Sequence, residues 1–147
     1  MRAIFTLFIS LFILSCSNDD DSNTSPQTIV PTEIIKGHLN YNNTYGQENM
    51  VISNTADWQT LMTNFSTIGI LNSATFAETN IDFQNYMIIV VTEVKNSTTT
   101  IDITNIQENT DNITVTVENL QQGLTTDVVH PFHIVKIPIS TKPIVFL

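Results

Sequence analysis

The sequence predicts an α+β domain, mainly antiparallel β-sheet of about six strands with one clear packed helix. Three observations carry that prediction. Ile113, Val115 and Val117 alternate with Thr114, Thr116 and Glu118, the period-two pattern of a strand with one buried face. Trp58, Leu61, Met62 and Phe65 recur at i, i+3, i+4 and i+7, the spacing of one apolar helix face. Residues 87–91 (Met-Ile-Ile-Val-Val) form a continuous apolar run, as in a strand covered on both sides. The 147 residues suit one domain, and only 13% are charged, so Thr, Asn and Ser supply the polarity.

In chain order, the first segment reads as an address and not as part of the fold. Arg2 precedes an apolar stretch over residues 4–14 that is shorter than the roughly 20 residues a membrane-spanning helix needs. Ile13-Leu14-Ser15-Cys16 follows and resembles the lipobox of bacterial lipoproteins. That resemblance implies a signal peptide over residues 1–15, cleavage before Cys16, and lipidation of the Cys16 thiol and of the new amine. Several acyl chains on one residue give stable membrane anchoring. Cys16 is the single cysteine, so no intrachain disulfide and no Cys-rich metal site can form. Asp19, Asp20 and Asp21 come next. They read as an acidic tether, and they also resemble the export signal that sends Bacteroidetes lipoproteins to the outer face of the outer membrane. Residues 16–30 are accordingly expected to be the acylated Cys and a flexible polar tether, and residues 31–147 a single domain.

Within that domain, Ile35, Gly37 and Leu39 alternate with Lys36, His38 and Asn40 in a half-exposed strand, and residues 50–52 form a short apolar one. The helix follows, with Thr55 as a plausible N-cap and Asp57 in its first turn. Residues 66–79 read as an irregular connection with room for a second short helix. Residues 98–106 and 112–117 read as a hairpin around the turn Glu108-Asn109-Thr110-Asp111. Residues 133–139 and 144–147 supply the last two strands, the first stopped or edged by Pro138.

Chemistry is mostly excluded. The net charge of −9 excludes a general electrostatic affinity for nucleic acid. The four glycines stand alone, so neither a nucleophile elbow nor a phosphate-cradling loop can be built. Carboxylates are scattered, and no His-Glu-x-x-His or EF-hand pattern occurs. His130 and His133 are three residues apart, which on an extended segment places them on opposite sides, so they read as structural or surface histidines. The five Asn-x-Ser/Thr sequons read as by-products of Asn and Thr richness.

The second half carries a resemblance. Ile81-Asp82-Phe83 is followed by the apolar strand, a hairpin with alternating Ile and Val, Pro131-Phe132-His133-Ile134-Val135-Lys136-Ile137-Pro138, and the ending Pro143-Ile144-Val145-Phe146. This is similar to the C-terminal domain of PrcB, an accessory lipoprotein of a bacterial surface protease complex. The similarity spans roughly residues 75–147, and the helix beginning near Trp58 resembles one that often precedes the domain. The chain departs from the pattern at residues 96–100, where Asn-Ser-Thr-Thr-Thr stands in place of a Gly-Gly-Tyr type segment. The resemblance implies structural roles for Asp82, Phe83, Pro131, Phe132 and Pro138, no catalytic residues, no cofactor and no metal. It implies a protein-binding or stabilising module, with a protease as partner class. The alternative is a surface module that binds a small molecule or glycan on Trp58, Tyr41, Tyr45 and Tyr86 as aromatic platforms.

Overall fold

The computed structural model describes residues 25–40, 46–96, 99–121 and 126–147. These form one α-helix and nine strands in two mostly antiparallel sheets, the α+β, mainly β architecture that the periodicities predict. The strands are β1 (Gln27–Thr28), β2 (Thr32–Leu39), β3 (Glu48–Ile52), β4 (Tyr86–Thr92), β5 (Lys95–Asn96), β6 (Thr100–Glu108), β7 (Ile113–Gln121), β8 (Val128–Pro138) and β9 (Ile144–Phe146). The helix α1 spans Thr55–Ile68, and a 3₁₀ turn follows at Leu71–Ser73.

The first sheet has the order β2-β8-β4-β3, with β5 pairing the start of β8. The second has the order β1-β6-β7-β9, in which only β7 and β9 run parallel. The apolar run of β4 explains the layering. Ile88 and Val90 face α1 and pack with Trp58, Leu61, Phe65, Phe132 and Ile134. Met87, Ile89 and Val91 face the other way and pack with Ile103, Ile106, Ile113, Val115, Val135 and Ile137. The first sheet is therefore a middle layer between the helix and the second sheet, and the strands that cross it must be apolar at successive positions.

Local chemistry fixes the elements. The residue capping α1 is Asn54, not Thr55: Asn54 is extended (φ −149°, ψ 158°), and its side chain accepts the Asp57 N–H at 2.9 Å. The Asn54 amide donates in return to Asp57 Oδ2 at 2.7 Å, so each side chain holds the other. Gly69 ends the helix at φ +91°, where a side chain would be strained, and its N–H reaches Phe65 O at 3.0 Å. In β2 a bulge between Glu33 and Ile35 turns both Ile34 and Ile35 into the helix-side core.

Three details differ from expectation. Strand β8 begins at Val128, five residues ahead of the expected start at His133, and so runs through Pro131. The Pro131 carbonyl accepts the Glu93 N–H at 3.0 Å, in the gap between the end of β4 and β5. An extended residue points its N–H and C=O to the same side, so the N–H that proline lacks also faces that gap and no ladder bond is lost. The tether expected over residues 16–30 gives up Gln27 and Thr28 to β1, which pairs with β6, and Ile29 packs on the inter-sheet core. The third detail is the strand count, which rises because β1 and β5 are only two residues each.

Candidate functional site

Two places in the fold bring polar or unpaired groups together. The first is a seam between the sheets. The half of β6 that β1 does not reach faces β2 and β8. The backbone there, and at Thr99 just before it, is met by side chains instead of a strand. His38 Nε2–H donates to Thr99 O at 2.9 Å, and His133 Nδ1 accepts the Ile103 N–H at 2.9 Å. Around His133 stand Asp102, with Oδ1 at 2.7 Å from Nδ1, and Glu33, with Oε2 at 3.4 Å from Nε2. Lys36 Nζ closes the group on Asp102 Oδ2 at 2.9 Å.

His133 is 4% exposed, and its Nε2 is buried without a hydrogen bond. Burial pushes its pKa below the ordinary value and outweighs the opposing pull of Asp102 and Glu33, while Lys36 adds to the lowering. The ring is therefore neutral near pH 7, with the proton on Nε2, because Nδ1 is an acceptor. An imidazole enclosed in this way, with Nδ1 occupied, presents no accessible base to a substrate. It acts as a backbone partner for a strand edge.

The second place is the outer edge of β3. Three other sheet edges are short or covered. β1 and β9 have two and three residues. The outer edge of β2 is closed by the connection after α1, through Ala77 N–H to Ile34 O and Asn40 N–H to Gly69 O, both 2.9 Å. Strand β3 has five residues, and among the described residues it pairs only with β4. Beside it lies a groove of about 250 Å³ lined by Met50, Val51, Ile52, Asp57, Thr60, Leu61 and Asn64. That is below the roughly 300–1,000 Å³ of small-molecule pockets. A larger depression of about 530 Å³ lies on the outward face of α1, lined by Gln59, Met62, Thr63, Ser66 and Thr67.

The residues singled out in the sequence fall as follows. Cys16, Asp19, Asp20 and Asp21 lie outside the described residues, as do Tyr41 and Tyr45. Asp82 opens the turn into β4. Its Oδ1 accepts the Gln84 N–H at 3.0 Å and its Oδ2 the Asn85 amide at 2.7 Å. These bonds hold its carboxyl below the usual range. Phe83 is half-buried against the helix-side core. Phe132 is fully buried, edge-on to Phe65 with ring centroids 4.9 Å apart. Pro138 is the last residue of β8, paired with Tyr86.

His130 and His133 are both buried and lie on opposite faces of β8, and no group of three metal-ligating side chains forms among the described residues. Trp58 is 1% exposed and donates from Nε1 to Thr79 O, so it is core and not a ligand platform. Tyr86 is covered on one face by Lys136, which pairs with Glu78.

The alternation in β2 offered partial notice of the seam, since Lys36 and His38 share one face of that strand. It gave none of Asp102, because the contact with His133 depends on how two sheets meet. No helix among the described residues is long and apolar enough to cross a membrane. Comparison of the chain with family models, with curated proteins and with solved structures found no match.

Proposed function

We propose that the chain is a cell-envelope lipoprotein, anchored through Cys16 to the outer membrane and facing the cell surface. Its folded domain is a non-catalytic module that binds and stabilises an envelope protein. The open edge of β3 is the observation that best supports the binding role, since a free strand edge recruits an extended segment through main-chain hydrogen bonds. The placement at the membrane is supported by Ile13-Leu14-Ser15-Cys16 and the acidic run that follows it. A surface protease is the partner class implied by the resemblance of residues 75–147, and a shared fold alone does not transfer a partner. The burial of Trp58 removes the main support for a glycan-binding role.

Crosslinking in intact cells followed by mass spectrometry tests the reading. The expected result is one envelope protein recovered reproducibly with the chain. Repeated recovery of no protein partner overturns it.

A further inference from the structure

The binding reading leaves open which surface is used and what it takes. We infer that the outer edge of β3 takes an extended segment of another protein by strand addition, and that this segment carries a cationic side chain at each end of a short apolar stretch. The inference rests on the proposal that the domain binds a protein, and it deepens that proposal by fixing the place and the chemistry.

Among the described residues the edge is open to addition and lacks three of the usual defences. Glu48–Ile52 contains neither lysine nor proline, and no bulge interrupts its register with β4. At roughly 3.3 Å per residue it matches a partner strand of about five residues. Both faces beside the edge have apolar surface. On the helix side the groove is floored by Met50, Ile52 and Leu61, and on the other side Val51 is 42% exposed. An added strand would therefore place alternate side chains on apolar ground, above and below the sheet.

Charge decides the ends of that strand. The four described lysines are all engaged within the domain: Lys36 with Asp102, Lys95 with Glu93, Lys136 with Glu78 and Lys142 with Glu108. Glu48 at the start of β3 and Asp57 beside its end have no cation among the described residues, and one Asp57 oxygen is held by the Asn54 amide. The edge is thus flanked by two carboxylates in a chain of net charge −9. A second copy of this chain would bring further negative charge to the edge, whereas a segment with Lys or Arg at both ends meets it with complementary charge.

The test uses the full-length chain in intact cells. A photocrosslinking amino acid replaces Val51 in one version and Val145, on β9, in another. The crosslinked peptides are then sequenced by mass spectrometry. The inference expects an adduct at position 51 to an apolar segment of another protein bounded by Lys or Arg. It also expects Glu48→Lys to reduce the adduct yield roughly fivefold, the scale of one exposed ion pair lost and a repulsion added. Asp57→Asn, which keeps a polar partner for Asn54, reduces it less.

Glu48 is exposed, so an unchanged Tm shows that its variant is still folded. Three outcomes overturn the inference: an adduct at 51 with a second copy of the chain, an adduct at 51 insensitive to both substitutions, or adducts at 145 alone. The last of these leaves the protein-binding reading standing. Adducts at neither position, with no partner recovered by general crosslinking, overturn both.

Discussion

The imidazole of His133 stands between two incompatible sets of bonds. In its neutral form Nδ1 accepts the Ile103 N–H. Protonation would place a hydrogen on Nδ1, break that bond, and let Nδ1–H donate to Asp102 Oδ1, already 2.7 Å away. The folded pKa lies below its ordinary value of about 6.5, with desolvation as the leading cause. The unfolded chain therefore takes up the proton first as pH falls. The stability that the neutral ring contributes is complete above pH 6.5 and is lost as pH falls through the lower, folded value. Urea unfolding between pH 7.5 and 5 is expected to show a falling unfolding free energy over this window, above the acid range in which Asp82 titrates. His133→Asn keeps an acceptor for Ile103 N–H and removes the titration, so its profile is expected to be flatter. An unchanged slope in that variant would assign the pH dependence to other groups.

Among the elements, α1 shows most directly how a sequence pattern becomes structure. Its buried face is Trp58, Leu61 and Phe65, the positions its period picks out, with Met62 at the margin. Its start is set by one side chain. Asn54→Ala removes the acceptor for Asp57 N–H and is expected to cost about 1 kcal/mol. Chemical denaturation should show this as a lower midpoint with an unchanged m-value. Thr55→Ala, which removes no cap, should cost well under half as much. Asn54 and Thr55 are both competent caps by type, so the sequence alone could not choose between them. The choice depends on which oxygen reaches the third helical N–H. The same distinction separates the strands that could be read from those that could not. β4 and β7 announce themselves by a run and by an alternation. β1 and β5 have two residues each, too few for any period, and exist because β6 and β8 have free edge positions to pair with. Pro131 lies ahead of the strand expected from residue 133, and its placement at the gap by Glu93 is a pairing property invisible before β4, β5 and β8 are assembled. The open edge of β3 is likewise a fact about neighbours: residues 50–52 read as a strand, and nothing in them says that only one side is paired among the described residues.

For the whole molecule, the layered arrangement puts a double-faced sheet at the centre, with the helix-side core on one face and the inter-sheet core on the other. Where the inter-sheet core ends, Glu33, Lys36, His38, Asp102 and His133 close the gap, and this seam joins residues drawn from β2, β6 and β8. Side chains on three strands can be matched only after two sheets have formed, so the fold class was readable in advance and the seam only in its β2 part. Among the described residues the first strand is β1, so in the proposed reading the polar stretch from Cys16 to β1 would lie between the domain and a lipid anchor. Under that proposal Cys16 and the three aspartates at 19–21 have separable tasks. Cys16→Ala removes the proposed acylation site, and the chain is expected to move from the membrane fraction to the soluble fraction, since no helix among the described residues is long and apolar enough to cross a membrane. Changing Asp19, Asp20 and Asp21 together to Asn leaves the thiol in place, so the chain should stay in the membrane fraction. If the acidic run directs export to the cell surface, that variant becomes resistant to protease added to intact cells, while lysed cells show the same cleavage as the parent. Equal cleavage of variant and parent on intact cells would make the run a tether alone. Recovery of Cys16→Ala in the membrane fraction would remove the lipid anchor from the proposal altogether.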